Sequence, residues 1–134
     1  MVLGTANKVV VACLDGRRLK GKIYDFSALK DQCRLFPEAA SPEHRGTDLA
    51  FKDLKAIFFV KDFAGQSGRH DLNDLKPGHG RALEITFQDG EKIVGTTEAF
   101  NPQRTGFFVF PVDPDSNNVR IFIVTKNACE IKRL

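Results

Sequence analysis

The sequence predicts an all-β protein made of two similar five-stranded halves, and three observations support this prediction. Residues 8–26 contain two strand-like runs on either side of an Asp-Gly pair, the arrangement typical of a β-hairpin. The same arrangement returns at residues 82–100 when the sequence is shifted by 74 positions. Residues 8–60 also superpose on residues 82–134 without a gap, with eight identities, most of them at turns, bends and strand ends.

The first half begins with the hairpin. Residues 9–14 form a first strand that is apolar on both faces. Asp15 and Gly16 follow as a two-residue turn, because a type I′ turn needs positive φ at both central positions. In the second strand, Gly21 indicates a bend or bulge at which the strand can curl into a barrel.

Three more strands complete this half. Residues 33–36 read as a third strand, which Pro37 stops because proline cannot donate to the ladder. Residues 38–46 form a loop and residues 47–52 a weak fourth strand. Residues 56–60 are a fifth strand without a polar face.

A linker separates this first repeat, residues 1–60, from a second repeat, residues 82–134. Residues 61–81 are rich in glycine and show no steady hydrophobic period. The linker contains His70 and His79, which have no cysteine or clustered carboxylate partners, so no metal site is predicted.

The composition is that of an ordinary globular protein, with 42% hydrophobic and 28% charged residues. A net charge of +3 is too small to indicate nucleic acid or a membrane by itself. Neither a signal peptide nor a long apolar run is found, so a cytoplasmic location is expected. Cys13, Cys33 and Cys129 form no close pair and are expected to be small core side chains.

Each half resembles the small SH3-type barrel of the Sm-like proteins. The resemblance rests on the Asp-Gly turn, on Gly21 or Gly95 in the second strand, and on the tight connection before the fifth strand. The whole-chain pattern, FFVKDF and then GFFVFPVDPDSNNVRIFIV, is similar to an uncharacterised bacterial family of tandem-repeat domains of unknown function. These resemblances imply two tandem five-stranded Sm-like or SH3-like small barrels packed together and a bacterial source, and they carry no activity over.

The strands that are apolar on both faces predict how the halves meet. Apart from the first strand, residues 9–14, they are residues 56–60 in the first half and residues 107–110 and 119–124 in the second. Sm-like subunits pair strand five of one with strand four of the next, so residues 56–60 are expected to pair with, or pack on, residues 119–124. The expected repeat interface comprises Ile57, Phe58, Phe59, Ile121, Phe122 and Ile123.

Strand four of the first half, residues 47–52, and strand five of the second half, residues 129–134, take no part in this pairing and would be the outer edges of the joined sheets. Both carry charged side chains, which resist further strand pairing. We therefore expect a monomer or a small oligomer and not a ring.

Two surfaces are candidates for binding. The exposed part of the GFFVF strand would contact a protein partner through Phe107, Phe108 and Phe110. A basic stripe on and beside the second strand could follow phosphate groups. Its residues are Arg17, Arg18, Lys20 and Lys22. The second half has no such stripe. An ordinary solvated strand face also explains the basic residues of the first half.

Three other motifs have ordinary explanations. Residues 25–27 open like the signature of PilZ-type cyclic-dinucleotide receptors, but Lys30 stands at the glycine position. Residues 113–117 imitate a calcium loop, but Val124 stands where the bidentate glutamate is required, so a β-turn is the simpler explanation. No serine lies in an elbow motif and no histidine has the spacing of a general base, so no enzyme is predicted.

We therefore expect a non-enzymatic cytoplasmic binding or adaptor module that acts through a protein partner, without a cofactor. The alternative is an Sm-like binder of nucleic acid or of a nucleotide of the cyclic-dinucleotide type, using the four basic residues. Binding that weakens steeply as salt is raised would favour phosphate contacts. A purely structural protein would instead show a large self-association surface.

Overall fold

Strands make up most of the fold in the computed structural model, which describes residues 7–24, 26–37, 45–61, 81–98, 103–111 and 118–134. The strands in these ranges are β1 (Asn7–Cys13), β2 (Arg18–Ile23), β3 (Gln32–Phe36), β4 (Thr47–Ala50), β5 (Leu54–Val60), β6 (Arg81–Phe87), β7 (Lys92–Thr97), β8 (Gly106–Val109), β9 (Asn118–Val124) and β10 (Ala128–Arg133). A 3-10 turn, Phe51–Asp53, joins β4 to β5, and another, Thr125–Asn127, joins β9 to β10. We call β1–β5 the first half and β6–β10 the second half.

The prediction of an all-β fold is confirmed, and the strands form two antiparallel sheets. One has the order β4-β3-β2-β1-β5-β9-β8 and the other the order β10-β6-β7. Reciprocal backbone hydrogen bonds between Thr96 and Phe110, of 2.9 and 2.8 Å, connect the second sheet to the end of β8. In the described ranges neither sheet closes into a barrel. The two five-stranded barrels that we expected to pack together are therefore not confirmed, since β4 and β5 of the first half are not bonded to each other in the described ranges.

The two halves share one strand order and one register. Each neighbouring pair of strands in the first half has a counterpart 74 residues later, with the same positions opposite each other. Val11 lies opposite Ile57, for example, and Ile85 lies opposite Ile131. The β2–β3 pair is matched by the single Thr96–Phe110 bridge. Even the bulge at the start of β5 recurs in β10.

The two hairpin turns differ in detail from the prediction. The N–H of Gly16 donates to the carbonyl of Cys13 at 3.1 Å, and the N–H of Cys13 donates to the carbonyl of Arg17 at 2.9 Å. The loop therefore has three residues instead of two, and it ends at Gly16 with φ of 95°. A three-residue loop that ends in a left-handed glycine suits an Asp-Gly sequence as well as a type I′ turn does.

The pairing of β5 with β9 joins the halves, as the apolar faces of these strands predicted. Ile57 lies opposite Phe122, and Phe58 lies opposite Ile121. Side chains alternate along a strand, so the same two strands serve two cores. Ile57 and Phe122 belong to a first hydrophobic cluster, mostly from the first half, and Ile121 belongs to a second cluster, mostly from the second half.

Two of the three cysteines are buried and one is exposed. Cys13 and Cys33 are buried in the first cluster, and burial, with a smaller contribution from Asp48, raises the pKa of Cys33 to about 12. Both therefore behave as the small core side chains that we expected. Cys129 is exposed, so the expectation is wrong for this residue. It lies in β10, at the outer edge of the three-stranded sheet.

Glycines at equivalent positions in β2 and β7 let a neighbouring strand approach closely. A Cβ atom on Gly21 would lie 2.3 Å from the backbone oxygen of Phe36, and one on Gly95 would lie 2.8 Å from that of Phe110. Real side chains do not tolerate either distance, so both positions require glycine.

Asn127 adds a polar link between the halves. Its Nδ2 atom donates to the backbone carbonyls of Lys52 at 2.9 Å and of Leu54 at 2.7 Å. Replacing Asn127 with alanine removes the donor from both carbonyls, so we expect the free energy of unfolding in urea to fall by about 1–2 kcal/mol. The Asn127→Asp variant should lose at least as much, since it places an acceptor against two acceptors. An aspartate variant as stable as the parent would contradict this account.

Several sequence expectations fall outside the described residues. These are most of the linker, with His70 and His79, and the motifs at residues 25 and 113–117. Within the described ranges, no helix has the length and apolar character needed to cross a membrane.

Candidate functional site

An aromatic cluster covers the first-cluster face of β5, β8 and β9. Neighbouring rings in it have centroids between 5.1 and 5.9 Å apart, mostly edge-to-face or tilted, which is the favoured geometry for aromatic pairs. Its members are Phe26, Phe51, Phe59, Phe108 and Phe122. The cluster gives this face a rigid apolar support.

Arg120 lies over two neighbouring rings of this cluster. Its guanidinium carbon is 4.6 Å from the ring centroid of Phe59 and 4.3 Å from that of Phe108, within cation–π range. Burial lowers the pKa of Arg120 below its ordinary value, although an arginine keeps its charge at neutral pH. Arg120 forms no ion pair with any residue that the structure describes. The structure thus places a partly desolvated cation here without a carboxylate partner in the described ranges.

The three phenylalanines predicted to bind a partner have different environments. Phe107 is 4% exposed and belongs to the second hydrophobic cluster. Phe108 is half-buried beneath Arg120, and Phe110 is 41% exposed. Side chains alternate along a strand, so Phe107 faces the opposite side from Phe108 and Phe110. Of the three, Phe110 offers the largest accessible surface.

Three of the four predicted basic residues, Arg18, Lys20 and Lys22, alternate along β2 and therefore share one face of the strand, and Arg17 lies in the turn before it. Arg17 Nε contacts Asp15 Oδ2 at 2.7 Å, and Arg18 contacts a carboxylate oxygen of Glu91 at 2.6 Å. Lys20 and Lys22 lie in β2 opposite other strand residues. Two of the four charges are therefore already paired with carboxylates.

Lys55 forms a buried contact between the halves that sequence reasoning missed. Its side chain is 7% exposed, and its Nζ lies 2.7 Å from Asp89 Oδ2, 3.1 Å from Glu91 Oε1 and 5.0 Å from the centroid of the Phe87 ring. Lys55 is the extra residue of the bulge in β5, which lets its side chain reach the second half. The available signal was a lysine inside the apolar run LKAIFFV.

The contact between Lys55 and Asp89 predicts how acid affects stability. The Lys55 ammonium, followed by the Glu91 N–H, holds the pKa of Asp89 below its ordinary value. Such a carboxyl stabilises the fold above its unfolded pKa, and this contribution is lost as the pH falls through the folded pKa. We expect the free energy of unfolding to fall below about pH 4. Urea denaturation across pH should show a smaller fall in Asp89→Asn.

Asp15 provides the matched control, because it occupies the same position in the β1–β2 turn. Its pKa is also held below the ordinary value, by the backbone N–H and side chain of Arg17. That partner is two residues away, so the contact can persist in the unfolded chain. Asp15→Asn should therefore change the acid dependence less than Asp89→Asn. Equal changes would argue against the contact with Lys55 as the cause.

A cavity of about 280 Å³ lies beside β4 at the outer edge of the seven-stranded sheet. Residues of the β1–β2 turn, of β4 and of the first 3-10 turn line it, and three of them are Asp15, Asp48 and Asp53. No group of histidine, cysteine and carboxylate side chains in the described ranges could hold a metal ion. What the cavity offers is a mixed apolar and acidic lining.

A protein-family model described as "Family of unknown function (DUF6982)" matches residues 5–134. No curated protein and no solved structure matches the chain. The match includes all ten described strands.

Proposed function

The chain belongs to the DUF6982 family of unknown function, and from this premise, which brings no activity with it, we propose a non-enzymatic adaptor module that acts through a protein partner. The observation that carries the proposal is Arg120, which lies over Phe59 and Phe108 without an ion pair in the described ranges. Arginine and large aromatic side chains are enriched at the energetic centres of protein interfaces.

The chemistry of this surface indicates what a partner would bring. The guanidinium carbon lies over the rings of Phe59 and Phe108, and the N–H groups of an arginine can donate to an acceptor on a partner. A carboxylate accepts from such a group in a bidentate way, and the surrounding apolar surface strengthens the contact. Phe110, which follows Phe108 at the next position but one, adds exposed aromatic surface. We expect a partner segment with an acidic side chain next to an apolar one.

At the level of the fold, we propose that the two halves are tandem copies of an Sm-like, SH3-type unit. The common register at a spacing of 74 residues supports this, as do the equivalent glycines, Gly21 and Gly95. A bacterial source is proposed on the sequence resemblance, and a cytoplasmic location is proposed with it.

Photo-crosslinking tests the proposed surface. A photoreactive phenylalanine analogue at Phe110 should give discrete protein adducts in a native lysate, and the same analogue at Leu29, which is 78% exposed, should not. Arg120→Ala should abolish the adducts, whereas Arg133→Ala, on the exposed β10, should keep them. Identical adducts from both positions, or adducts that persist without Arg120, would refute the proposal.

The same experiment addresses the alternative function. Adducts that disappear after nuclease treatment, together with binding that falls steeply between low and moderate salt, would point to nucleic acid. The ion pairs of Arg17 and Arg18 make this the weaker candidate.

A further inference from the structure

The second half contains a filled site for which the first half has an empty counterpart. In the second half, β9 pairs with β5, and Lys55 of β5 reaches Asp89 and the ring of Phe87. A shift of 74 residues turns β9 into β4 and Asp89 into Asp15. The other two contacts of Lys55 are not kept, because Phe87 becomes Cys13 and Glu91, which lies 3.1 Å from Lys55 Nζ, becomes Arg17. These counterparts lie together in the first half, around the 280 Å³ cavity.

The strand beside the cavity has a free edge in the part of the chain that the structure describes. There β4 is hydrogen-bonded to β3 only, whereas β9 is bonded to both β8 and β5. The cavity is lined by Leu49 and Ala50 of β4, the counterparts of Ile123 and Val124. The strand of the second half that is equivalent to β4 is β9, and β5 pairs with it, with Ala56 opposite Ile123.

The cavity is lined by three carboxylates, Asp15, Asp48 and Asp53, and by one basic residue, Arg17. Asp48 also pairs with Arg34 at 2.9 Å, so Asp53 is the lining carboxylate without an ion pair in the described ranges. Arg17 Nε contacts Asp15 Oδ2 at 2.7 Å, and Lys55 Nζ contacts the equivalent Asp89 Oδ2 at the same distance. In the first half, therefore, an exposed neighbour in the turn makes the contact that an incoming strand makes in the second.

We propose that β4 and this cavity form a second binding site, which takes an extended segment of another protein by strand addition, with a lysine of that segment in the cavity. Backbone hydrogen bonds to β4 would supply affinity, and the lysine would supply specificity. The pattern required is that of β5, in which Lys55 is followed by Ala56 and then, two positions on, by Phe58.

A second copy of the chain does not fit this site. The counterpart of β5 is β10, which has Cys129 in place of Lys55, Glu130 in place of Ala56 and Lys132 in place of Phe58. Ala56 is completely buried, so β10 would bring a carboxylate to a position without solvent. It would also bring no cation to the cavity. The occupant is therefore a different protein.

The test uses the full-length protein and a fluorescent synthetic peptide with the sequence of β5, LKAIFFV, carried on a neutral solubilising spacer. Fluorescence anisotropy should show saturable binding, and a peptide with methionine in place of lysine should bind about tenfold more weakly. Asp15→Asn should weaken binding of the lysine peptide to a similar extent. Arg17→Ala should strengthen it, because Asp15 then loses its competing partner.

Asp89→Asn is the matched control, since it alters the same turn position in the half whose site is filled, and it should leave peptide binding unchanged. Equal binding of the lysine and methionine peptides, or equal effects of Asp15→Asn and Asp89→Asn, would overturn the proposal. So would tighter binding of a β10 peptide, which would make a second copy the occupant. Arg120→Ala should not alter peptide binding, so this site and the Arg120 surface can fail independently.

Discussion

Replacement of Phe122 by alanine is expected to lower the free energy of unfolding by about 3–5 kcal/mol. The Phe122 ring is completely buried and packs against Phe26, Phe51 and Phe108. Its strand also pairs with β5, so the cavity would open at the junction of the two halves. A loss of this size is a large part of the stability of a small domain. Urea denaturation followed by circular dichroism would measure it.

Phe110→Ala is the matched control, because it removes the same ring from an exposed position at the end of the next strand. At 41% exposure, the loss should be about 1 kcal/mol or less. Similar losses in the two variants would mean that the aromatic cluster is not packed as described.

The second large effect is expected for Gly21→Ala. The new methyl group would lie 2.3 Å from the backbone oxygen of Phe36 and 2.9 Å from Cδ1 of Leu35. The oxygen belongs to β3, so it can move only if the β2–β3 pairing is distorted. We expect a loss of about 2–3 kcal/mol in the free energy of unfolding, measured in the same way.

Gly95→Ala provides an internal comparison for Gly21→Ala. Its methyl group would lie 2.8 Å from the equivalent backbone oxygen, that of Phe110. The contact is looser, so the loss should be smaller than for Gly21→Ala. The reverse order would contradict the assigned approach of β3 to β2.

The hairpins and the pairing between the two halves could be predicted from the sequence. Each had a signal that lies within a short stretch or occurs in both halves. Asp-Gly pairs marked both hairpins, and Gly16 and Gly90 both have positive φ. The strands apolar on both faces predicted the β5–β9 pairing, since such a sequence is typical of a strand covered on both sides. What the sequence could not show is that neither sheet closes in the described ranges.

The candidate sites were harder to predict, because they depend on side-chain direction. In the run Gly-Phe-Phe-Val-Phe every position is apolar or small, so the sequence does not show that Phe107 faces a core and Phe110 faces solvent. The contact of Lys55 depends on a bulge of one residue, for which the sequence has no clear signal. In the sequence Arg120 is an isolated charged residue in an apolar strand, and only the fold shows that it lies over the two rings of Phe59 and Phe108.

The position of β5 has a consequence for the internal motions of the protein. It has a hydrogen-bonded neighbour on each side, β1 and β9, and almost all of its side chains are buried. Each amide hydrogen of β5 bonds to only one of these neighbours, so the full set exchanges with solvent only when the strand has separated from both β1 and β9. That separation opens both cores, so the exchange of the complete set of β5 hydrogens should report the global unfolding of the molecule.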